Sequence, residues 1–223
     1  MHIGLVGGIG PGAQDFYTRR LIALFAEAGV PLEMTTAHAD TPTLLANQAS
    51  DRRHEQALIF AGLSERLARA GADVLAITSI AGHFCRTELA RRSVLPVLDM
   101  VDAVALYVAD RGFDRVGILG TRKVMESRFY DALPSAVVIP PSEPELGAIH
   151  AAYAATAAAG SVTVEQKLTF ESAAERLVER NGVQAILLGG TDLALAFDRE
   201  TSPHELIDCA SIHVGVIAGH AFT

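Results

Sequence analysis

Ile3-Gly4-Leu5-Val6-Gly7-Gly8, near the start of the chain, returns 113 residues later as Val116-Gly117-Ile118-Leu119-Gly120-Thr121. Both are short apolar runs that end in glycine or a small polar residue, as strands buried in a parallel sheet do. Two more pairs follow in the same order. Gly71-Ala72-Asp73-Val74-Leu75-Ala76-Ile77-Thr78-Ser79 answers to Gly182-Val183-Gln184-Ala185-Ile186-Leu187-Leu188-Gly189-Gly190 at an offset of 111, and Pro96-Val97-Leu98-Asp99 to Glu205-Leu206-Ile207-Asp208 at 109. Three ordered matches at nearly one offset read as a tandem duplication. Between the strands lie helical patterns, with Phe60, Leu63, Leu67 and Ala70 on one face and Phe170, Ala174 and Leu177 on another. This alternation predicts an α/β fold of two pseudo-symmetric lobes, each a parallel sheet flanked by helices. The first lobe is expected over residues 1–98 with a C-terminal helix at 207–223, and the second over 99–206.

Composition narrows the class. Half of the 223 residues are apolar, yet no apolar run reaches the roughly 20 residues of a membrane span. The opening Met-His-Ile-Gly-Leu-Val-Gly-Gly reads as a strand entering a glycine turn rather than a signal peptide, so the expected location is the cytoplasm, with no membrane partner. The net charge is −8 and the arginines are scattered among acids, which argues against nucleic acid as a partner. Cys85 and Cys209 have no metal-type spacing and read as free thiols; no metal site is expected.

Ligands of open α/β sheets bind beyond the carboxyl ends of the strands. A duplicated chain would pair such ends, Gly7 and Gly8 with Gly120 and Thr121, and Ser79 with Gly190, around an active-site cleft between the lobes. Gly7-Gly8-Ile9-Gly10-Pro11-Gly12 does not fit the dinucleotide fingerprint, because Pro11 and Gly12 fall at the wrong offsets, and it lacks the Gly-Lys-Ser/Thr of a nucleoside triphosphate loop. Residues 39–53 read either as a lid, with Arg52 or Arg53 reaching a carboxylate, or as a solvated loop and helix start.

These strand ends resemble the aspartate/glutamate racemase superfamily over nearly the whole chain. Gly7-Gly8-Ile9-Gly10-Pro11 is similar to the family's opening Gly-Gly-Met-Gly-Pro turn. Ala70-Gly71-Ala72-Asp73 and the strand after it resemble the approach to a first catalytic motif, Cys-Asn-Thr-x-His. Leu119-Gly120-Thr121-Arg122 resembles the second-lobe Leu-Gly-Thr turn, Leu188-Gly189-Gly190-Thr191-Asp192 the motif Leu-Gly-Cys-Thr-Glu, and Asp208 with Ile212-His213 the closing Asp-Thr-Thr-x-Ile-His. The resemblance implies a small-molecule substrate, no cofactor and a homodimer. It also implies chemistry by two cysteines, one thiolate removing an α-proton while a second thiol returns one.

Both reagents are missing. Counting from Asp73, Ser79 takes the first cysteine's place, Ile80 the asparagine's and Ala81 the threonine's, while His83 keeps the histidine; Gly190 takes the second cysteine's place. Losing the asparagine removes a donor to a charged group, worth about 1.5–3 kcal/mol. The expected catalytic residues are therefore His83, Ser79, His213 and Asp192. Each has a structural reading beside it: His83 as a helix-cap histidine, His213 as a bonded structural histidine, Asp192 as a helix cap. Gly8, Ile9, Ile80, Ala81, Thr121, Arg122, Gly190 and Thr191 are expected around the substrate. The function expected is a cofactor-independent isomerase or lyase on a small carboxylate or carbonyl compound more apolar than aspartate. The alternatives are a non-catalytic small-molecule-binding protein and a racemase with substitute acid/base groups.

Overall fold

The structure, a computed structural model, describes residues 1–8 and 11–222. The first half runs β1 (His2–Gly7), α1 (Pro11–Ala28), β2 (Glu33–His38), α2 (Thr41–Ala49), α3 (Arg53–Arg69), β3 (Val74–Ile77), a 3₁₀ turn (Ile80–Cys85), α4 (Arg86–Ala90), β4 (Val97–Leu98) and α5 (Met100–Asp110). The second runs β5 (Arg115–Gly120), α6 (Arg122–Glu126), β6 (Val137–Ile139), α7 (Glu143–Ala159), α8 (Val164–Asn181), β7 (Ala185–Gly189), a second 3₁₀ turn (Thr191–Leu195), β8 (Leu206–Asp208) and α9 (Cys209–Phe222).

Among the described residues the strands form two four-stranded parallel sheets, ordered β2-β1-β3-β4 and β6-β5-β7-β8. The order is the same in both, and the register repeats with it. Val6 of β1 stands opposite Ile77 of β3, and Leu119 of β5 opposite Leu188 of β7. Strands β3 and β7 are buried throughout, as inner parallel strands are, whereas the edge strand β2 carries half-buried Thr35 and exposed Thr36 and ends on exposed His38. Ile3, Leu5, Leu21, Phe60 and Leu75 fill the first core; Ile118, Phe170, Leu177 and Ile186 fill the second. Each contributes on the order of 1.5–3 kcal/mol by leaving water. Gly4 and Gly117, equivalent in the repeat, let a helix close on the strand: an added Cβ would lie 3.3 Å from Leu67 of α3 in one case and from Leu177 of α8 in the other.

Sequence signals set several helix ends. Asp40 caps α2 by accepting the Thr43 N–H. Thr163 and Gln166 form a reciprocal capping box at the start of α8, and Gly182 closes that helix at φ 60°. Two compact units result, Met1–Met100 with His213 onward, and Val101–Ile212. The chain returns to the first unit at His213 rather than at 207, because Leu206–Asp208 pairs with β7 as an edge strand of the second sheet. Among the described residues no helix is long and apolar enough to cross a membrane.

Candidate functional site

In the first unit the strand ends carry Gly8 and Ser79. Gly8 sits at φ 109°, and the Ala39 carbonyl occupies the space a side chain would need. Ile9 lies outside the described residues. Ser79 is extended, at φ −149° and ψ 135°, and only 7% exposed. Its carbonyl is used, but among the described residues its hydroxyl makes no hydrogen bond. Ile80 and Ala81 beside it are buried. The segment over 39–53 is largely helix α2, with Leu44, Asn47 and Gln48 buried and the Gln48 amide donating to the Ala81 carbonyl at 3.1 Å.

The two histidines expected to move protons are built into the framework. His83 lies in the 3₁₀ turn, not at the start of a regular helix, and is 1% exposed. The Met100 N–H can only donate, so Nε2 of His83 accepts from it at 3.2 Å, and Nδ1–H donates to the Ser79 carbonyl at 2.8 Å. His213 lies one turn inside α9, fully buried. Its Nε2–H donates to the Leu98 carbonyl at 2.8 Å, leaving Nδ1 to accept from the Tyr17 hydroxyl at 2.8 Å. Burial, with His83 adding to it, pushes the His213 pKa down to about 3. Each ring has both nitrogens engaged by backbone or by a buried phenol, which favours the structural role for both.

The thiols are equally withdrawn. Burial pushes Cys85 up to about 12, and Cys209 rises well above its ordinary value for the same reason. Neither supplies a thiolate near neutral pH.

The second unit repeats the arrangement with different groups. Two residues beyond the Val6–Ile77 pair stands Ser79; two beyond the Leu119–Leu188 pair stands Gly190, also extended, at φ −173° and ψ 131°. The two positions are equivalent. Thr121 caps α6 by accepting the Val124 N–H at 3.3 Å. Arg122, expected to meet substrate, has its guanidinium paired with Glu126 at 2.8 Å and Glu143 at 3.1 Å. Thr191 is half-buried, and its hydroxyl makes no hydrogen bond among the described residues. Asp192 is 5% exposed and, among the described residues, has no ion pair. Its Oδ2 accepts from the Tyr153 phenol at 3.2 Å, and burial raises its pKa.

The sequence singled out neither Tyr153 nor His150. Three residues apart, they share a face of α7. His150 Nδ1 accepts the Arg122 N–H at 3.3 Å, and Tyr153 stands against Gly190. The available signal was the pair of polar side chains in an otherwise small-residue run. A surface hollow of about 610 Å³ on α8 includes none of these residues.

Two sets of buried parallel strands, each ending in an equivalent turn, define a duplicated α/β protein. A model of the Asp/Glu/Hydantoin racemase family matches residues 6–217, and the chain belongs to that family. Solved structures agree on the fold. A Yersinia pestis protein described as a candidate Asp/Glu racemase superposes with a TM-score of 0.87 at 24% identity, covering 100% of both chains. An aspartate racemase homologue from Pyrococcus horikoshii gives 0.84 at 24%, covering 100% of this chain and 99% of that one. Glutamate racemase from Francisella tularensis, in complex with D-glutamate, gives 0.67 at 15%, covering 99% and 81%.

Proposed function

We propose that this chain is a cofactor-independent isomerase or lyase of the family, acting without thiols on a small carboxylate or carbonyl compound more apolar than aspartate. One observation carries the reading. The equivalent positions Ser79 and Gly190 carry no sulfur, the Ser79 hydroxyl stands unengaged among the described residues beside apolar Ile80 and Ala81, and in the second unit the Thr191 hydroxyl is likewise unengaged among the described residues. Hydroxyls and turn N–H groups suit a carboxylate or carbonyl oxygen, and the apolar wall disfavours a charged ammonium or second carboxylate.

The second reading, a non-catalytic binding protein, is favoured by the double bonding of both imidazoles. Thermal stabilisation by a panel of acids, with deuterium incorporation followed by NMR in D₂O, separates the readings. Butanoate and 2-oxobutanoate are expected to stabilise the protein more than aspartate does, with at least one gaining deuterium or losing CO₂. Stabilisation without any chemistry favours the binder. Stronger stabilisation by aspartate than by every apolar acid overturns the substrate class.

A further inference from the structure

Gly190 leaves a gap at the strand end, and the gap is filled. A Cβ built on Gly190 would lie 2.5 Å from both Cζ and Oη of Tyr153, so the phenol occupies the space in which any side chain at position 190 would begin. The ring comes from α7 and is half-buried, and its hydroxyl donates to the buried Asp192 carboxylate at 3.2 Å. A hole alone could be filled by phenylalanine. This one is filled by a ring whose polar end meets a carboxylate that has no ion pair among the described residues.

Burying such a carboxylate costs stability. Asp192 returns nothing visible as a helix cap: Gly190 is the cap residue of its turn, and the Asp192 side chain takes no N–H of a later residue among the described bonds. A buried carboxylate held by the Tyr153 phenol and its own backbone N–H, in the turn just beyond an inner strand, is the kind of group that functional sites retain.

We propose that Tyr153 and Asp192 form a proton relay that replaces the absent thiol at Gly190, with Tyr153 touching the substrate and Asp192 holding the proton behind it. The inference rests on the proposed isomerase or lyase reading. The substrate is a small acid or carbonyl compound with a proton on the carbon next to its carboxylate or carbonyl. The step balances without a further reactant. The substrate C–H bond breaks and its electron pair stays on the substrate as an enolate. Tyr153 Oη takes that proton as its own O–H proton passes to Asp192 Oδ2. The negative charge thus moves from Asp192 to the enolate, and reversal delivers a proton to carbon. Asp192 acts through Tyr153 and is its positioning and proton-storing partner. The raised pKa of Asp192, caused by burial, makes it a stronger base than an exposed carboxylate.

The test has two arms on the full chain. In the first, tyrosine is labelled at ¹³Cζ and Tyr153 is assigned by comparison with Tyr153→Phe. Its resonance is expected to move as the pH is taken through the carboxylate range, with a midpoint above that of an ordinary aspartate, and Asp192→Asn is expected to abolish the movement. In the second arm, butanoate and 2-oxobutanoate are incubated in D₂O with the protein and its variants. Tyr153→Phe is expected to slow deuterium incorporation by about 10²–10⁴ while thermal stabilisation by the same acid changes little. Asp192→Asn is expected to remove the acidic limb of the rate–pH profile. A Tyr153 resonance indifferent to Asp192, or normal incorporation in Tyr153→Phe, overturns the relay alone. A coupled pair in a protein that incorporates no deuterium and produces no CO₂ overturns the functional reading, and the relay's catalytic role with it.

Discussion

Burial of His213 ties stability to pH at a single side chain. The unfolded chain takes up a proton at this residue below its ordinary pKa of 6.5, whereas the folded chain resists it until about 3. Stability from keeping the ring neutral is therefore present above 6.5 and is lost as pH falls toward 3, by about 2–3 kcal/mol at pH 4.5. Urea midpoints at pH 7 and 4.5 measure this, and His213→Gln, which cannot titrate, should lose correspondingly less; equal losses would contradict the account. Gly190 gives a second expectation at this scale. Because the Tyr153 ring stands where a Cβ would go, Gly190→Ala should destabilise by about 1–3 kcal/mol, as overpacking does. Adding Tyr153→Ala should recover part of that in a double-mutant cycle. Simple additivity would mean the two sites do not meet.

At the scale of elements, local signals do measurable work. Thr163 and Gln166 satisfy two backbone N–H groups at the start of α8. Thr163→Ala should cost about 1 kcal/mol, seen as a lower urea midpoint at unchanged slope; an unchanged midpoint would mean that α8 is held by packing alone. The same signals explain what the sequence disclosed. Apolar runs ending in glycine or a small polar residue located β1, β3, β5 and β7, and their offsets foretold the repeated register, because buried parallel strands leave little choice of residue. The site was less legible. Which ring nitrogens of His83 and His213 the backbone would claim depends on Met100, Ser79, Leu98 and Tyr17, and no spacing encodes those meetings. Tyr153 was hidden for a related reason. Its place is defined by a missing side chain at Gly190, distant in sequence, and a lone tyrosine among alanines reads as helix surface until the two elements are packed together.

For the whole molecule, the duplication sets one equivalent strand-end position per unit, and neither Ser79 nor Gly190 carries a thiol. The chain keeps the family's fold while its two cysteines sit elsewhere, buried, with pKa values raised by that burial. Racemisation by two thiols needs two reagents flanking one carbon, and these positions offer a serine hydroxyl and a glycine. The most direct measurement is deuterium incorporation at Cα of L-aspartate and L-glutamate in D₂O, followed by NMR at neutral pH. The account predicts none above the buffer control with either amino acid; clear Cα deuteration that disappears in Ser79→Ala would contradict it.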